Sequence, residues 1–464
     1  MPIVLKKYYP TSKILFVLGE AFFIVSSILL AMLIRFGSDY LSEALTIDEW
    51  AKIALMASVC QLSLYYNDLY DLKVTDSYQE LGLRLTRSLG MAAVVLAVIY
   101  YAFPSTMLGR GIFLIGITFM SIFVCSWRYL YSWTLKRRMF SENIMIIGSG
   151  ELAQNIVDYI TSRNDTGYQI GTVIDNPSVE PALQFESIPV FSDFADLAER
   201  ARASSIRTIV VALDEKRGKL PVAQLLRCRM EGIRVIDGIS FYEELAGKIL
   251  VERLSPSWLI FSDGFKKSLL TRVVNRLVNI LFSLVGLIVT LPLNVLVALC
   301  IKLDSPGPVL YLQIRCGEGG RPFRLYKFRT MTCDAEEECG PVWAVDDDPR
   351  ITRVGKIIRK LRIDEIPQMW NVLVGHMSFV GPRPERPEFV EHLEPAIPYY
   401  AERHNVKPGI TGWAQICHPY GATVEAAQEK LKYDLFYVKN MNFFFDLVII
   451  FQTVKVVLLG KGAR

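Results

Sequence analysis

Four apolar runs stand at the head of the chain, at residues 14–34, 53–66, 88–108 and 111–127, and Glu20 is the one charge inside them. Crossing about 30 Å of hydrocarbon takes roughly 20 helical residues, so 14–34 and 88–108 predict full spans. The other two need their flanks to finish. The first run is too long for the apolar part of a cleaved signal peptide, and more runs follow it. Lys6, Lys7 and Lys13 precede the first run, Lys73, Arg84 and Arg87 separate the second from the third, and Arg128, Lys136, Arg137 and Arg138 follow the fourth. The loop between the first two is mainly acidic, with Asp39, Glu43, Asp48 and Glu49. The positive-inside rule then predicts a four-helix transmembrane bundle over residues 1–138, with both ends in the cytoplasm.

Past the basic run the pattern changes. Short apolar strands at 143–147, 171–175, 207–213 and 232–236 alternate with helical stretches. This alternation predicts a parallel sheet covered by helices, a Rossmann-like α/β domain over residues 139–250. After its first strand comes Gly148-Ser-Gly150-Glu-Leu-Ala153. Gly148 and Gly150 are possible nucleotide-binding positions, because such a turn lets backbone amides approach a phosphate, and Asp175 is a conceivable ribose partner. A tight strand-to-helix turn needs glycines without any ligand as well. With no catalytic cluster nearby, the domain reads as a regulatory or assembly module.

Residues 277–301 form the longest uncharged stretch, with Pro292 inside it. Its length permits a crossing, but its flanks argue against one. Lys266, Lys267, Arg272 and Arg276 lie upstream, and Lys302, Arg315, Arg321, Arg324, Lys327 and Arg329 downstream. A full span would export one basic cluster. The expectation is a re-entrant membrane helix over 272–301, bent at Pro292, where a helical hydrogen bond is lost. The Thr290 hydroxyl or a basic side chain would satisfy the freed backbone groups.

Composition narrows the class. A length of 464 residues suggests roughly three domains. Apolar residues make up 52% and charged residues 21%, with a mean hydropathy of +0.29, which excludes disorder and small disulfide scaffolds. The formal charge of +4 is too small for this length to indicate nucleic-acid binding. Eight cysteines without a CxxC pair, beside four histidines, argue against zinc and for reduced thiols.

The chemistry lies in the last third, residues 251–464, expected to be mainly α. Between 315 and 329, five basic residues face one acid, Glu318. Part of that cluster suits lipid headgroups. In Tyr326-Lys-Phe-Arg-Thr-Met331, apolar anchors fix Lys327 and Arg329, as a diphosphate substrate requires. A basic amphipathic stretch with Arg359 then leads into Asp364-Glu365-Ile-Pro-Gln-Met-Trp-Asn371. Asp364 is expected as a helix N-cap, with Pro367 in the first turn. An ionised aspartate among cations is a nucleophile for phosphorus, and Glu365 beside it would hold Mg2+. Arg383 follows on a loop stiffened by Pro382 and Pro384.

These runs, with Met377-Ser-Phe-Val-Gly-Pro-Arg-Pro-Glu385 and Lys407-Pro-Gly-Ile-Thr-Gly-Trp413, resemble the bacterial sugar transferase family, the monotopic polyprenyl-phosphate sugar-1-phosphate transferases. The whole chain resembles its large subgroup, undecaprenyl-phosphate galactose or glucose phosphotransferases, which carry four transmembrane helices and a nucleotide-binding-like domain. The resemblance implies transfer of a sugar 1-phosphate from a UDP-sugar to undecaprenyl phosphate with release of UMP, initiating exopolysaccharide or O-antigen assembly. The work would be done on the cytoplasmic face of the bacterial inner membrane, among membrane lipids and as a homodimer. Asp364 would form a covalent phosphosugar, Glu365 would bind Mg2+, and Lys327, Arg359 and Arg383 would contact phosphates or nucleotide. Family members bend the re-entrant helix at a Ser-Pro pair, whereas Leu291 precedes Pro292 here. Two rivals remain. A membrane-anchored NAD-dependent nucleotide-sugar dehydratase would need a second glycine-rich motif and a Tyr-x-x-x-Lys pair after residue 250, and neither occurs. A non-catalytic polysaccharide-assembly scaffold would make Asp364 and Glu365 dispensable.

Overall fold

A computed structural model describes residues 11–37, 46–70, 78–136, 141–163, 166–175, 188–194, 196–213, 220–254, 256, 264–265, 269–333, 335, 348–418, 421 and 423–458. Lys6, Lys7, Asp39, Glu43, Lys73, Arg137, Arg138, Lys266 and Lys267 lie outside these. The chain divides into two compact units, Met1–Phe241 and Tyr242–Arg464.

The first unit opens with α1 (Thr11–Phe36), α2 (Ile47–Tyr66), α3 (Tyr78–Ala102) and α4 (Arg110–Lys136). They share one apolar core, including Ile28, Met32, Met56, Leu64, Leu96 and Val124. Among the described residues, stretches of α1, α3 and α4, and the later helix Leu269–Asp304, are long and apolar enough to cross a membrane. The first turns of α2 instead carry Asp48, Glu49 and Lys52, paired with one another. The apolar run at 53–66 thus borrows a polar flank.

Arg128 corrects the loop-charge reading. It lies inside α4, buried, and pairs with the fully buried Glu20 of α1 at 2.5 Å. Its guanidinium also donates to the Leu69 carbonyl and stacks over the Phe16 and Tyr70 rings. The lone charge in the first run is therefore half of an interhelical clasp. Glu20→Ala would strand a buried cation and should cost about 3–5 kcal/mol, read as a lowered midpoint in detergent unfolding. An unchanged midpoint would remove the clasp from the account.

Next come β1 (Glu142–Ile147), α5 (Glu151–Thr161), β2 (Tyr168–Ile174), β3 (Val190–Phe191), α6 (Leu197–Ala203), β4 (Thr208–Val211), α7 (Val222–Met230), β5 (Arg234–Asp237) and α8 (Gly238–Ala246). The strands pair in parallel in the order β3-β2-β1-β4-β5, so the order reverses between β1 and β4. The alternation read from the sequence is thus realised as a doubly wound sheet, with β3 added. Gly148 has φ +114°, and a Cβ there would sit 2.7 Å from the Ala212 carbonyl oxygen. Packing against β4 alone demands that glycine. Gly150 caps α5, and the Ser149 hydroxyl bonds the Asp175 carboxylate.

In the second unit, α9 (Leu269–Asp304) is a single helix of 36 residues, about 54 Å long, and it continues through Pro292. Thr290 serves its own turn, donating to the Gly286 carbonyl at 2.7 Å and accepting from Asn294 at 3.2 Å. The carbonyl that Pro292 leaves without an N–H, that of Ile288, is not its partner. After α9 come the antiparallel hairpin β6 (Leu310–Cys316) and β7 (Pro322–Phe328), then α10 (Arg353–Lys360), α11 (Gln368–Val374), β8 (Ser378–Val380), α12 (Pro387–Ala396), β9 (Gly409–Thr411), α13 (Trp413–Cys417), α14 (Val424–Asn440) and α15 (Phe443–Leu458). The unit is mainly helical, with β8 and β9 paired in parallel.

Both ends of α9 pack on this lobe. Near its start, Arg276 donates to the Val372 and Leu373 carbonyls, each at 2.7 Å, and Asn279 donates to the Ser378 hydroxyl at 3.0 Å. Near its end, Val297 and Ile301 bury against Phe328 and Ile358, and the Asp304 carboxylate accepts from the Val354 N–H at 3.0 Å.

Candidate active site

The site forms where β7 passes the turn between α10 and α11. Thr352 caps α10, its hydroxyl accepting from the Gly355 N–H. Gly355 is required there, because a side chain would collide with the Thr330 carbonyl. Beyond α10 the chain reverses at Arg362, whose φ of +54° is costly for a side chain of that size. A 3-10 turn, Ile363–Glu365, follows directly, and it carries the carboxylate pair. Asp364 is therefore not the N-cap of the next helix. Pro367 occupies that position, without a side-chain cap, so the acidic pair sits one turn earlier than expected.

Glu365 and Asp364 are both buried, 9% and 8% exposed, yet they live in different surroundings. Glu365 Oε1 accepts from Lys327 Nζ at 3.2 Å and from Arg383 Nη2 at 2.9 Å, while Oε2 faces Arg362 at 3.8 Å. Burial pushes its carboxyl up, but Arg383, Lys327 and Arg362 together outweigh this and hold it well below the usual range. The Asp364 carboxylate makes no hydrogen bond or ion pair among the described residues. Burial pushes it up to about 6, against the pull of Lys327, Arg359 and Arg383 and with a contribution from Glu365. Lys327 is itself pushed down by burial, partly restored by Glu365. One carboxylate is locked in charge; the other is buried without a partner among the described residues.

The structure thus brings Asp364, Glu365, Lys327 and Arg383 together, with Arg359 close enough to act on Asp364. Arg329 goes elsewhere. Its guanidinium donates to the Ser305 carbonyl at 2.8 Å, to the Pro306 carbonyl and to Cys333, tying down the exit from α9. Among the described residues it bonds to neither member of the acidic pair.

The supporting roles of three residues escaped sequence reasoning. Arg403 pairs with Asp434 at 2.8 Å and donates to the Arg383 carbonyl at 3.0 Å. Arg315 donates to the Pro384 carbonyl at 3.1 Å, so two arginines pin the loop that presents Arg383. Asn371, fully buried on α11, donates to the Arg324 carbonyl at 2.7 Å and accepts from the Tyr326 N–H at 3.0 Å. It clasps the strand that holds Lys327 against the helix that follows the acidic pair. Asn371→Leu would leave two partly buried backbone groups unpaired and should cost about 1–3 kcal/mol, with a larger fall in kcat than rise in KM. Equal effects on kcat and KM would argue against positioning.

Residues 270–460 match the family model described as bacterial sugar transferase, and residues 66–226 match one described as a CoA-binding domain. The chain is 43% identical over 240 residues to a UDP-N-acetylgalactosamine-undecaprenyl-phosphate N-acetylgalactosaminephosphotransferase of Aeromonas hydrophila, covering 52% of this chain and 56% of that protein. It is 33% identical over 341 residues to an undecaprenyl-phosphate glucose phosphotransferase of Komagataeibacter xylinus, covering 72% and 62%. An exopolysaccharide production protein, PSS, of Rhizobium leguminosarum bv. phaseoli is 43% identical over 196 residues, covering 41% of this chain and 98% of that one. The chain spans less than two thirds of the length of the first two. With every motif around the acidic pair inside the matched region, and nearly all of the Rhizobium protein covered, the chain belongs to the bacterial sugar transferase family.

Proposed function

We propose that the protein transfers a sugar 1-phosphate from a UDP-sugar to undecaprenyl phosphate, releasing UMP, through a covalent phosphosugar on Asp364. The observation that carries this is the asymmetry of the acidic pair. Asp364 is an unpaired carboxylate with a raised proton affinity, yet still mostly ionised at neutral pH, beside a Glu365 clamped by cations. An Asp364 oxygen attacks the phosphorus that bears the sugar, and the bridging P–O bond breaks toward UMP. The lipid phosphate then attacks the same phosphorus and frees Asp364. Arg383, Lys327 and Arg359 offset the diphosphate charge in both steps.

The donor set also suits Mg2+. Among the described residues no third acid, histidine or cysteine joins the pair, so a metal there would rely on Glu365 and substrate phosphate oxygens, the arrangement this hard cation favours. Glu365 Oε2, beyond hydrogen-bond reach of Arg362, is the oxygen left to hold it. When bound, it would add Lewis-acid stabilisation of the leaving phosphate.

We place the site at the cytoplasmic face of the bacterial inner membrane, with α9 re-entrant. Support comes from α9 itself, since one lobe grips both residues 276–279 and residues 297–304. A helix crossing the hydrocarbon would separate those grips by the membrane. Leu269 and Leu303, 77% and 88% exposed, bracket the helix. Cysteines at both positions should react with an impermeant thiol reagent only after the cytoplasmic side is opened, read by peptide mass mapping. Labelling of one from outside would mean a span. Incubating radiolabelled UDP-sugars with solubilised protein should leave phosphosugar on Asp364; product without any adduct there would sink the reaction proposed.

A further inference from the structure

A cleft of about 830 Å3 opens where the β6–β7 turn meets the end of α11. Arg321, Arg324, Lys407 and His376 line it, with Glu318 the one acid. None of the acidic pair, Lys327, Arg359 or Arg383 borders it, so it is separate from the site above.

Its cations differ from others of this lobe. Lys327 and Arg383 are bound to Glu365, Arg403 to Asp434, and Arg315 and Arg329 to backbone carbonyls. Arg321, Arg324 and Lys407 make no side-chain hydrogen bond or ion pair among the described residues. Three like charges sharing one concavity raise its potential, and an anion would relieve their repulsion. The cations are held by the hairpin and by a proline-backed turn, Lys407-Pro408, rather than by one flexible loop.

The end of α11 would oppose an anion through its unpaired carbonyls. That opposition is reduced. Arg276 takes the Val372 and Leu373 carbonyls, and the N–H groups of Gly375, His376 and Met377 turn back onto the Asn371 carbonyl. Arg276 adds a fourth positive charge beside the cleft wall, its guanidinium 3.2 Å from where a Gly375 Cβ would lie. The wall is mixed in character, with Phe323 against His376 and the half-exposed Ile314.

We propose that this cleft binds a phosphate-bearing anion through Arg321, Arg324 and Lys407. Two sources share that chemistry: the headgroup of an anionic phospholipid and the phosphate of a nucleotide. Full-length protein in nanodiscs distinguishes them. One arm counts phosphatidylglycerol retained on the protein from mixed phosphatidylcholine discs by native mass spectrometry. The other titrates UMP calorimetrically in pure phosphatidylcholine discs. An Arg321→Gln/Arg324→Gln double variant should lose at least about tenfold in affinity in one arm, as expected for losing charge-assisted contacts. Loss in the lipid arm identifies a headgroup, and loss in the UMP arm a nucleotide. Lys407→Gln, on another element, should weaken the same arm and covers the case in which the double variant does not fold. Retention like the parent protein's in both arms, by both variants, overturns the proposal.

Discussion

Asp364→Asn is expected to abolish turnover and, at the same time, to make the protein more stable at neutral pH. The amide keeps the shape of the carboxylate and removes the oxygen proposed to attack phosphorus. Loss of a covalent nucleophile places the fall in kcat at about 10⁴-fold or more. Stability moves the other way because burial raises the Asp364 carboxyl from 3.8 to about 6. A carboxyl whose proton affinity is higher in the folded than in the unfolded chain stabilises the fold at low pH. That contribution is lost as pH rises through the folded value. At pH 7 the parent protein therefore carries an ionised group that its surroundings disfavour, and the amide does not. The variant should gain on the order of 2–3 kcal/mol there, and the gain should vanish below about pH 4. Detergent melting curves across pH, beside a radiolabelled donor assay, read both effects. An inactive variant that is also less stable would recast Asp364 as a structural residue, and an active one would require another nucleophile.

Much of the architecture was legible because it rests on long patterns. Uncharged stretches near twenty residues long, and strands alternating with helices before residue 250, survive small errors in register. The acidic pair was legible through its motif. Less legible was what depended on a single turn or a distant partner. Lys327 and Arg329 sit two apart on an extended segment whose pairing continues past β7, with the Arg329 N–H on the Val309 carbonyl, but the chain leaving α9 takes the Arg329 guanidinium through the Ser305 and Pro306 carbonyls, a contact nothing local announces. Asp364 followed by Pro367 has the spacing of a helix start. The left-handed Arg362 inserts a 3-10 turn that moves that start to Gln368. Arg128 was counted with a loop because nothing local marks its partner, Glu20, 108 positions earlier. Shorter separations, still far beyond one turn, hid the clamp of Arg403 on Asp434 and the grip of Asn371 on β7.

Lys327→Met should cut kcat/KM by about 10²–10³-fold and also reshape its pH profile, which a simple loss of packing would not do. The proposed nucleophile must be ionised, so the acid limb should follow Asp364, and the rate should fall as pH drops through about 6. After burial, the largest influence on that carboxyl is Lys327, whose charge pulls it down. With methionine in its place, the limb should move to higher pH. Arg359 and Arg383 would still act on Asp364, which keeps the shift finite, and Glu365 would remain ionised through Arg383 at 2.9 Å. On the alkaline side, burial lowers the proton affinity of Lys327 itself, so the parent protein should lose activity below the usual lysine range. The variant has no ammonium to lose, and that limb should disappear. An acid limb unmoved beside a basic limb retained would mean that Lys327 holds Glu365 in place without setting the charge of the nucleophile.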